Sequence, residues 1–234
     1  MSTKNQIVVV TGAFGALGRA VARAFATRGA QLALLDVAAQ PPASLREEFG
    51  AEPLLFGGVD LSDMEATRRV MSVVTMHFGG IDALVNVAGG FRWQTLEGGS
   101  VDAWDDLYTM NLRTAVVCCK AVLPAMLGRG AGRIINIGAG AAAKAGAGMG
   151  AYTASKAGVQ RLTESLSEET KDRGITVNAI LPGTIDTPRN RADMPDADFT
   201  RWVAPAAIAE VIVFLASDAA AAITGAAIPV FGRG

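Results

Sequence analysis

The chain has a single histidine, His77, and only two cysteines, Cys118 and Cys119, which are adjacent. Neighbouring cysteines cannot build a disulfide framework, and no Cys-x-x-Cys or paired-histidine spacing offers a metal site. Such sparse thiol use fits a reducing, cytoplasmic setting. Charge of one sign is also lacking: 21 basic residues stand against 22 acidic ones for a formal net charge of −1, and there is no Lys/Arg run. That balance argues against nucleic acid as a partner. Long hydrophobic runs are missing too. The most apolar tract, Val203 to Phe231, is broken by Glu210 and Asp218 and falls short of the roughly 20 uninterrupted apolar residues of a membrane span. The run Ile7 to Val10 is shorter than a signal-peptide core of about 7 to 15 residues. The expectation is a cytoplasmic protein without a membrane segment.

Half of the 234 residues are apolar and 18% are charged, enough to bury a large core in one domain spanning residues 1–234. Six short apolar runs read as strands: Ile7–Val10, Gln31–Leu35, Ala83–Val87, Arg133–Ile137, Thr176–Leu181 and Ala227–Phe231. Because they are continuous rather than alternating, they predict a sheet covered on both faces, which means parallel strands joined by crossover helices. Helical stretches lie between them at Leu17–Thr27, Leu61–His77, Ala103–Leu127, Ala151–Arg173 and Pro205–Leu215. Gly29, Gly79 and Gly174 fall at C-cap positions. The class is α/β, doubly wound. His77, near a helix end, and the charges of Glu164 to Arg173 read as solvated positions, and the cysteines as core or subunit interface.

After the first run comes Thr11-Gly-Ala-Phe-Gly-Ala-Leu-Gly18, leading straight into a helix. Glycines 12, 15 and 18 permit a tight turn and close backbone approach, so a pyrophosphate can rest on free N–H groups at the positive end of the helix. Asp36 ends the second run eighteen residues beyond Gly18, near the offset at which an acid accepts hydrogen bonds from ribose hydroxyls. A carboxylate there selects NADH over NADPH by repelling a 2′-phosphate; capping of the next loop is the alternative. Asp60 is a second candidate at the adenine end, or the N-cap of the helix from Leu61. Tyr152 and Lys156 stand four residues apart at the start of a helix, on one face. A phenol needs a nearby cation to exchange protons at neutral pH.

Taken with Asp60-Leu61, Asn86-Val-Ala-Gly89, Asn111 and Pro182-Gly183 leading to Thr187, these residues resemble the short-chain dehydrogenase/reductase family from end to end. The resemblance implies a Rossmann-type domain with a seven-stranded, mostly parallel sheet. It implies a small-molecule substrate and a homodimer or homotetramer. Tyr152 would donate the proton, Lys156 would bind the nicotinamide ribose and tune Tyr152, and Asn111 would hold a water of the proton relay. Cofactor contacts would come from Gly12, Phe14, Gly15, Ala16, Leu17 and Gly18 in the turn, then Asp36, Asp60 and Leu61. Asn86, Ala88 and Gly89 would line the cleft, with Pro182, Gly183, Ile185 and Thr187 at the nicotinamide end.

Three positions depart from the family pattern. Ala16 stands where a glycine is usual, with Gly15 supplying the middle glycine one residue earlier, and Val87 replaces a second asparagine. The third departure is chemical: the family's serine, thirteen residues before the tyrosine, is Ala139 here. Losing one oxyanion donor typically costs about 10²- to 10³-fold in rate. The dihydropteridine reductases of this family also lack that serine. Gly12-x-x-Gly15-Ala-Leu-Gly18, Ala88-Gly-Gly-Phe91-x-Trp93 and Gly148-Met149 are similar to their segments. A conjugated imine is electron-poor and needs protonation more than an oxyanion donor, and Phe91 and Trp93 would stack on a flat ring or else pack a loop. The alternative, prompted by Ala139 and the ending Val230-Phe-Gly-Arg-Gly234, is a catalytically impaired NAD-binding regulatory or subunit protein. The tract Thr184–Ala204 reads as a short, loop-like cover.

Overall fold

The computed structural model describes residues 5–49 and 53–233; Met1–Lys4, Gly50–Glu52 and Gly234 lie outside them. Seven strands make one parallel sheet: β1 (Ile7–Thr11), β2 (Gln31–Leu35), β3 (Leu54–Phe56), β4 (Ala83–Asn86), β5 (Gly132–Ile137), β6 (Ile175–Pro182) and β7 (Ala227–Val230). Their order is β3-β2-β1-β4-β5-β6-β7. Strand β3 was not among the six apolar runs; at three residues, all half-buried on the sheet edge, it is too short to carry a pattern. The strand order reverses between β1 and β4, and the crevice outside the carboxyl ends there is where open α/β sheets bind ligands.

Burial on both faces explains the continuous runs. Val8 and Val10 of β1 pack with Leu17, Val21 and Phe25 of α1 (Ala16–Ala26) and with Ile208, Ile212 and Leu215 of the later helix Pro205–Ala216. The alternate residues, Ile7 and Val9, face the other layer: Met71 and Val74 of α3 (Met64–Phe78) and Cys118, Val122 and Met126 of α5 (Thr114–Arg129). Both thiols are buried, and desolvation pushes both pKa values up, that of Cys119 to about 12. The uninterrupted helical stretch Asp102–Arg129, formed by α4 (Asp102–Leu107), a π-helical turn (Tyr108–Arg113) and α5, is long and apolar enough to cross a membrane. Here its apolar face lies against the sheet.

Two expectations on local structure are corrected. The helix after Asp60 starts at Met64, not Leu61, because Asp63 is the N-cap: its carboxylate accepts from the N–H of Glu65 at 2.8 Å and of Ala66 at 3.2 Å. Asp60 instead closes a turn on Ser62, accepting from its N–H and its hydroxyl. The tract 184–204 is not merely a loop. It holds the short helix α7 (Pro188–Asp193), with Thr187 as N-cap and Pro188 in its first turn. Arg191 bonds both oxygens of Asp186 and lies 4.8 Å from the Phe199 ring. Helix α7 is polar and six residues long, so no apolar period announced it. The small helix α2 (Ala43–Phe49) was likewise unannounced, with only Leu45 buried. The chain is completed by α6 (Gly150–Thr170) and α8 (Pro205–Ala216).

Candidate active site

The turn from β1 into α1 is built on close backbone contact. Gly12 has φ +61°, and a Cβ there would stand 2.8 Å from the backbone of Ala88. A Cβ on Gly18 would come 2.2 Å from the Gly12 carbonyl oxygen. These two glycines are therefore demanded by the protein's own packing. Gly15 is different: its nearest neighbour would be the Gly12 oxygen at 3.4 Å, so that side of the turn stays open. Among the described residues no side chain caps the N-terminus of α1, which leaves its first N–H groups available to an anion. The arrangement fits a dinucleotide pyrophosphate. Replacing Gly12 by Ala is expected to cost about 3 kcal/mol, combining left-handed backbone strain with overpacking. A thermal melt with and without NADH would check it, and an unchanged midpoint would refute the packing argument.

Asp36 lies just past β2 and anchors this turn from the side. One carboxylate oxygen accepts from the Phe14 N–H at 2.9 Å and the other from the Ala38 N–H at 3.0 Å. The residue thus serves the next loop and the glycine turn together, with lone pairs to spare. Thr11, which the sequence reading did not single out as a site residue, is buried at the end of β1 and accepts from the Ala88 N–H at 3.1 Å. It ties the turn to the segment after β4.

Lys156 and Asn111 are buried on neighbouring helices, and Tyr152 is half-buried. The Lys156 ammonium donates to the Ile137 carbonyl at the end of β5, at 2.8 Å. Asn111 sits in the π-helical turn. Its Oδ1 accepts from the Gly90 N–H at 2.9 Å, and its Nδ2 donates to the Gly90 carbonyl at 3.1 Å and to Ser155 Oγ at 3.0 Å. Ser155 passes the connection on by donating to the Tyr152 carbonyl at 2.7 Å. Both amide hydrogens of Asn111 are therefore used within the protein, joining β4's exit loop to α6. A Cβ on Gly89 would lie 2.6 Å from Asn111 Oδ1 and 3.2 Å from Lys156 Nζ, which shows how closely that loop covers both. Burial pushes the Tyr152 phenol up to about 12 and the Lys156 ammonium down to about 8, since desolvation disfavours the charged form of each.

A buried polar ladder supports the strand ends. Asn86 Nδ2 donates to Asn136 Oδ1 at 2.8 Å, and Asn136 Nδ2 donates to Thr163 Oγ1 at 2.9 Å. Asn136 and Thr163 were missed, although a lone amide inside Arg-Ile-Ile-Asn-Ile is a visible signal. Ala139 is buried and extended beyond β5, with no polar side chain. Thr187 spends its hydroxyl on capping α7. Pro182, Gly183 and Ile185 follow at the carboxyl end of β6. Phe91 stands edge-on to the Tyr152 ring with centroids 4.9 Å apart. Trp93 is held against the loop before α6 by a bond from its indole N–H to the Ala147 carbonyl at 3.0 Å.

A doubly wound parallel sheet with a glycine turn at its switch point and a tyrosine–lysine pair on the adjoining helix defines an oxidoreductase of the Rossmann type. Residues 6–198 match the short chain dehydrogenase family, and the chain belongs to that family. It is 36% identical over 239 residues to a D-threitol dehydrogenase of Mycolicibacterium smegmatis, covering 97% of this chain and 92% of that one. It is 34% identical to a 3-oxoacyl-(acyl-carrier-protein) reductase of Vibrio cholerae, over 99% and 98% of the two chains. The crystal structure of a levodione reductase superposes with a TM-score of 0.89 at 27% identity, covering 98% of this chain and 97% of the other. The three names carry three different substrates, so likeness defines the reaction class and leaves the substrate open.

Proposed function

We propose that residues 1–234 act as one domain that binds NAD(H) in preference to NADP(H) and transfers hydride between the nicotinamide and a small carbonyl or alcohol, or a conjugated imine of the dihydropteridine type. The observation that carries this reading is the junction of Tyr152, Lys156, Asn111 and the Gly89–Gly90 loop beside the open glycine turn. Gly12, Phe14, Gly15, Ala16, Leu17 and Gly18 would hold the pyrophosphate. Asp36 would take the ribose, Asp60 and Leu61 the adenine, and Asn86, Ala88, Gly89, Pro182, Gly183, Ile185 and Thr187 the nicotinamide half. When bound, the nicotinamide supplies or accepts the hydride.

Tyr152 moves the proton. A half-buried phenol held above its ordinary range keeps its proton at neutral pH until a substrate oxygen or nitrogen accepts it. The buried Lys156 cation then stabilises the phenolate that remains. The preference for NADH rests on the Asp36 carboxylate and on the nearest cation past the turn: Arg19 is already paired with Glu48 at 2.9 Å. The same reading makes the protein a homodimer or homotetramer, and exposed Met110 and Val116 on the Asp102–Arg129 stretch suit such an interface.

The pH dependence follows with a definite sign. Burial lowers the Lys156 pKa from 10.5 to about 8, so the cation is present below that value and lost above it. Carbonyl reduction is expected to be level at lower pH and to decline as pH rises through about 8. Lys156→Met should remove that decline together with roughly 99% of the rate. A profile that keeps its decline in Lys156→Met would take Lys156 out of the mechanism. The overall test is the initial rate of NADH and of NADPH oxidation with butane-2,3-dione and with a quinonoid dihydropterin. Faster turnover with NADPH would overturn the cofactor assignment. NADH binding without turnover on any carbonyl or imine would favour the impaired, regulatory reading that Ala139 prompts.

A further inference from the structure

The stretch 138–150 that leads into α6 carries almost no side chains: apart from Lys144 and Met149 it is glycine and alanine. Such a segment has little with which to hold its own course, so whatever packs on it from outside decides where α6 begins. Phe231 packs on Gly140 and Trp104 of α4 on Gly150, the first residue of α6, and the two residues between them that lie just ahead of the helix, Ala147 and Gly148, are held by a strap, Gly90 to Gln94. The Trp93 indole N–H donates to the Ala147 carbonyl at 3.0 Å, and the Gln94 N–H donates to the Gly148 carbonyl at 2.9 Å. The indole lies directly on Gly148, where a Cβ would fall 2.2 Å from the ring and where φ is +73°. The strap itself is anchored at two points ahead of Trp93. Gly90 is bound in both directions by Asn111, and Arg92 pairs with Asp106 at 3.1 Å.

Hydrophobic burial does not account for a tryptophan at this position, because the residue is 60% exposed. What the indole contributes is a fixed polar contact and a flat face against a glycine that admits no side chain. Four residues after Gly148, α6 presents Tyr152, whose ring rests edge-on against Phe91 of the same strap at 4.9 Å. The phenol is thus bracketed, by Phe91 from the strap directly and by Trp93 through the helix start.

We propose that Trp93 is a positioning residue for Tyr152: its clasp on Ala147 and Gly148 sets the entry into α6 and so the place of the phenol. This inference rests on Tyr152 as the acid/base group. Misplacing a reacting group by about 1 Å can cost on the order of 10²-fold. Loosening the clasp is expected to lower kcat roughly tenfold, with NADH affinity unchanged because the glycine turn and Asp36 are untouched.

The test does not depend on knowing the substrate. The protein has only two tyrosines, Tyr108 and Tyr152, so labelling tyrosine with carbon-13 at the phenol carbon yields two resonances, which Tyr152→Phe assigns. In Trp93→Ala the Tyr152 resonance should move or broaden while Tyr108 stays, and Trp93→Phe, which keeps a ring on Gly148, should restore part of the shift. An unmoved Tyr152 resonance in Trp93→Ala overturns the proposal, as does a general change in both resonances with a lowered melting temperature. Turnover with butane-2,3-dione separates the two readings. If Tyr152→Phe keeps full activity, the acid/base role fails. If Tyr152→Phe is inactive while Trp93→Ala retains wild-type kcat, only the clasp fails.

Discussion

Tyr152→Phe is expected to lower turnover by about 10³-fold, within the range ascribed to positioned acid–base groups, while NADH affinity stays nearly the same. The substitution removes one oxygen and leaves the rest of the site in place. The phenyl ring retains its edge contact with Phe91, and the bond from Ser155 to the residue 152 carbonyl is a backbone contact. Lys156 keeps its bond to Ile137. A large loss in kcat with unchanged NADH binding and melting temperature therefore isolates the proton. Retention of more than about a tenth of the activity would show that water or another group delivers it, and would remove Tyr152 from the centre of the mechanism.

Ala139→Ser should act in the opposite direction, raising the reduction of simple ketones by about 10²-fold, the usual worth of one oxyanion donor. Ala139 is buried and extended at the exit of β5, one residue past Gly138, whose N–H bonds the Ile180 carbonyl. The position is thus fixed by the sheet, and a hydroxyl placed there has a defined origin. Introducing it also has a cost: a buried hydroxyl without a partner destabilises by about 1–3 kcal/mol, so the melting point should fall even as ketone turnover rises. A conjugated imine needs less help from such a donor and should gain little. Equal rates before and after the change, for ketone and imine alike, would mean that the site does not direct substrate toward residue 139.

The strongest signals in the sequence were those in which one residue type has one physical use. Continuous Val/Ile runs separated by amphipathic stretches left a covered parallel sheet as the consistent arrangement, and glycines 12 and 18 were legible because backbone packs where their side chains would be. The four-residue spacing of Tyr152 and Lys156 likewise placed both on one helical face. Elements without burial left weaker traces. Strand β3 and the helices α2 and α7 are short and mostly half-exposed or exposed, and at Asp60 and Asp63 two acids competed for one cap. There the backbone N–H groups of Glu65 and Ala66 decided, which composition cannot reveal.

Contacts between distant segments lay beyond the sequence. Asn111 could be read as a candidate, but its partners, Gly90 and Ser155, are 21 and 44 residues away. The same is true of Thr11 with Ala88 and of Trp93 with Ala147. Local chemistry and periodicity determined the class of fold, the glycine turn and the placing of Tyr152 and Lys156 as a pair on one helix, because these follow from spacing along one strand or helix. Only the tertiary structure decided how the pair is buried, what orients it and which loop covers it. Desolvation and long-range hydrogen bonding exist only once the strand ends and the helices have met.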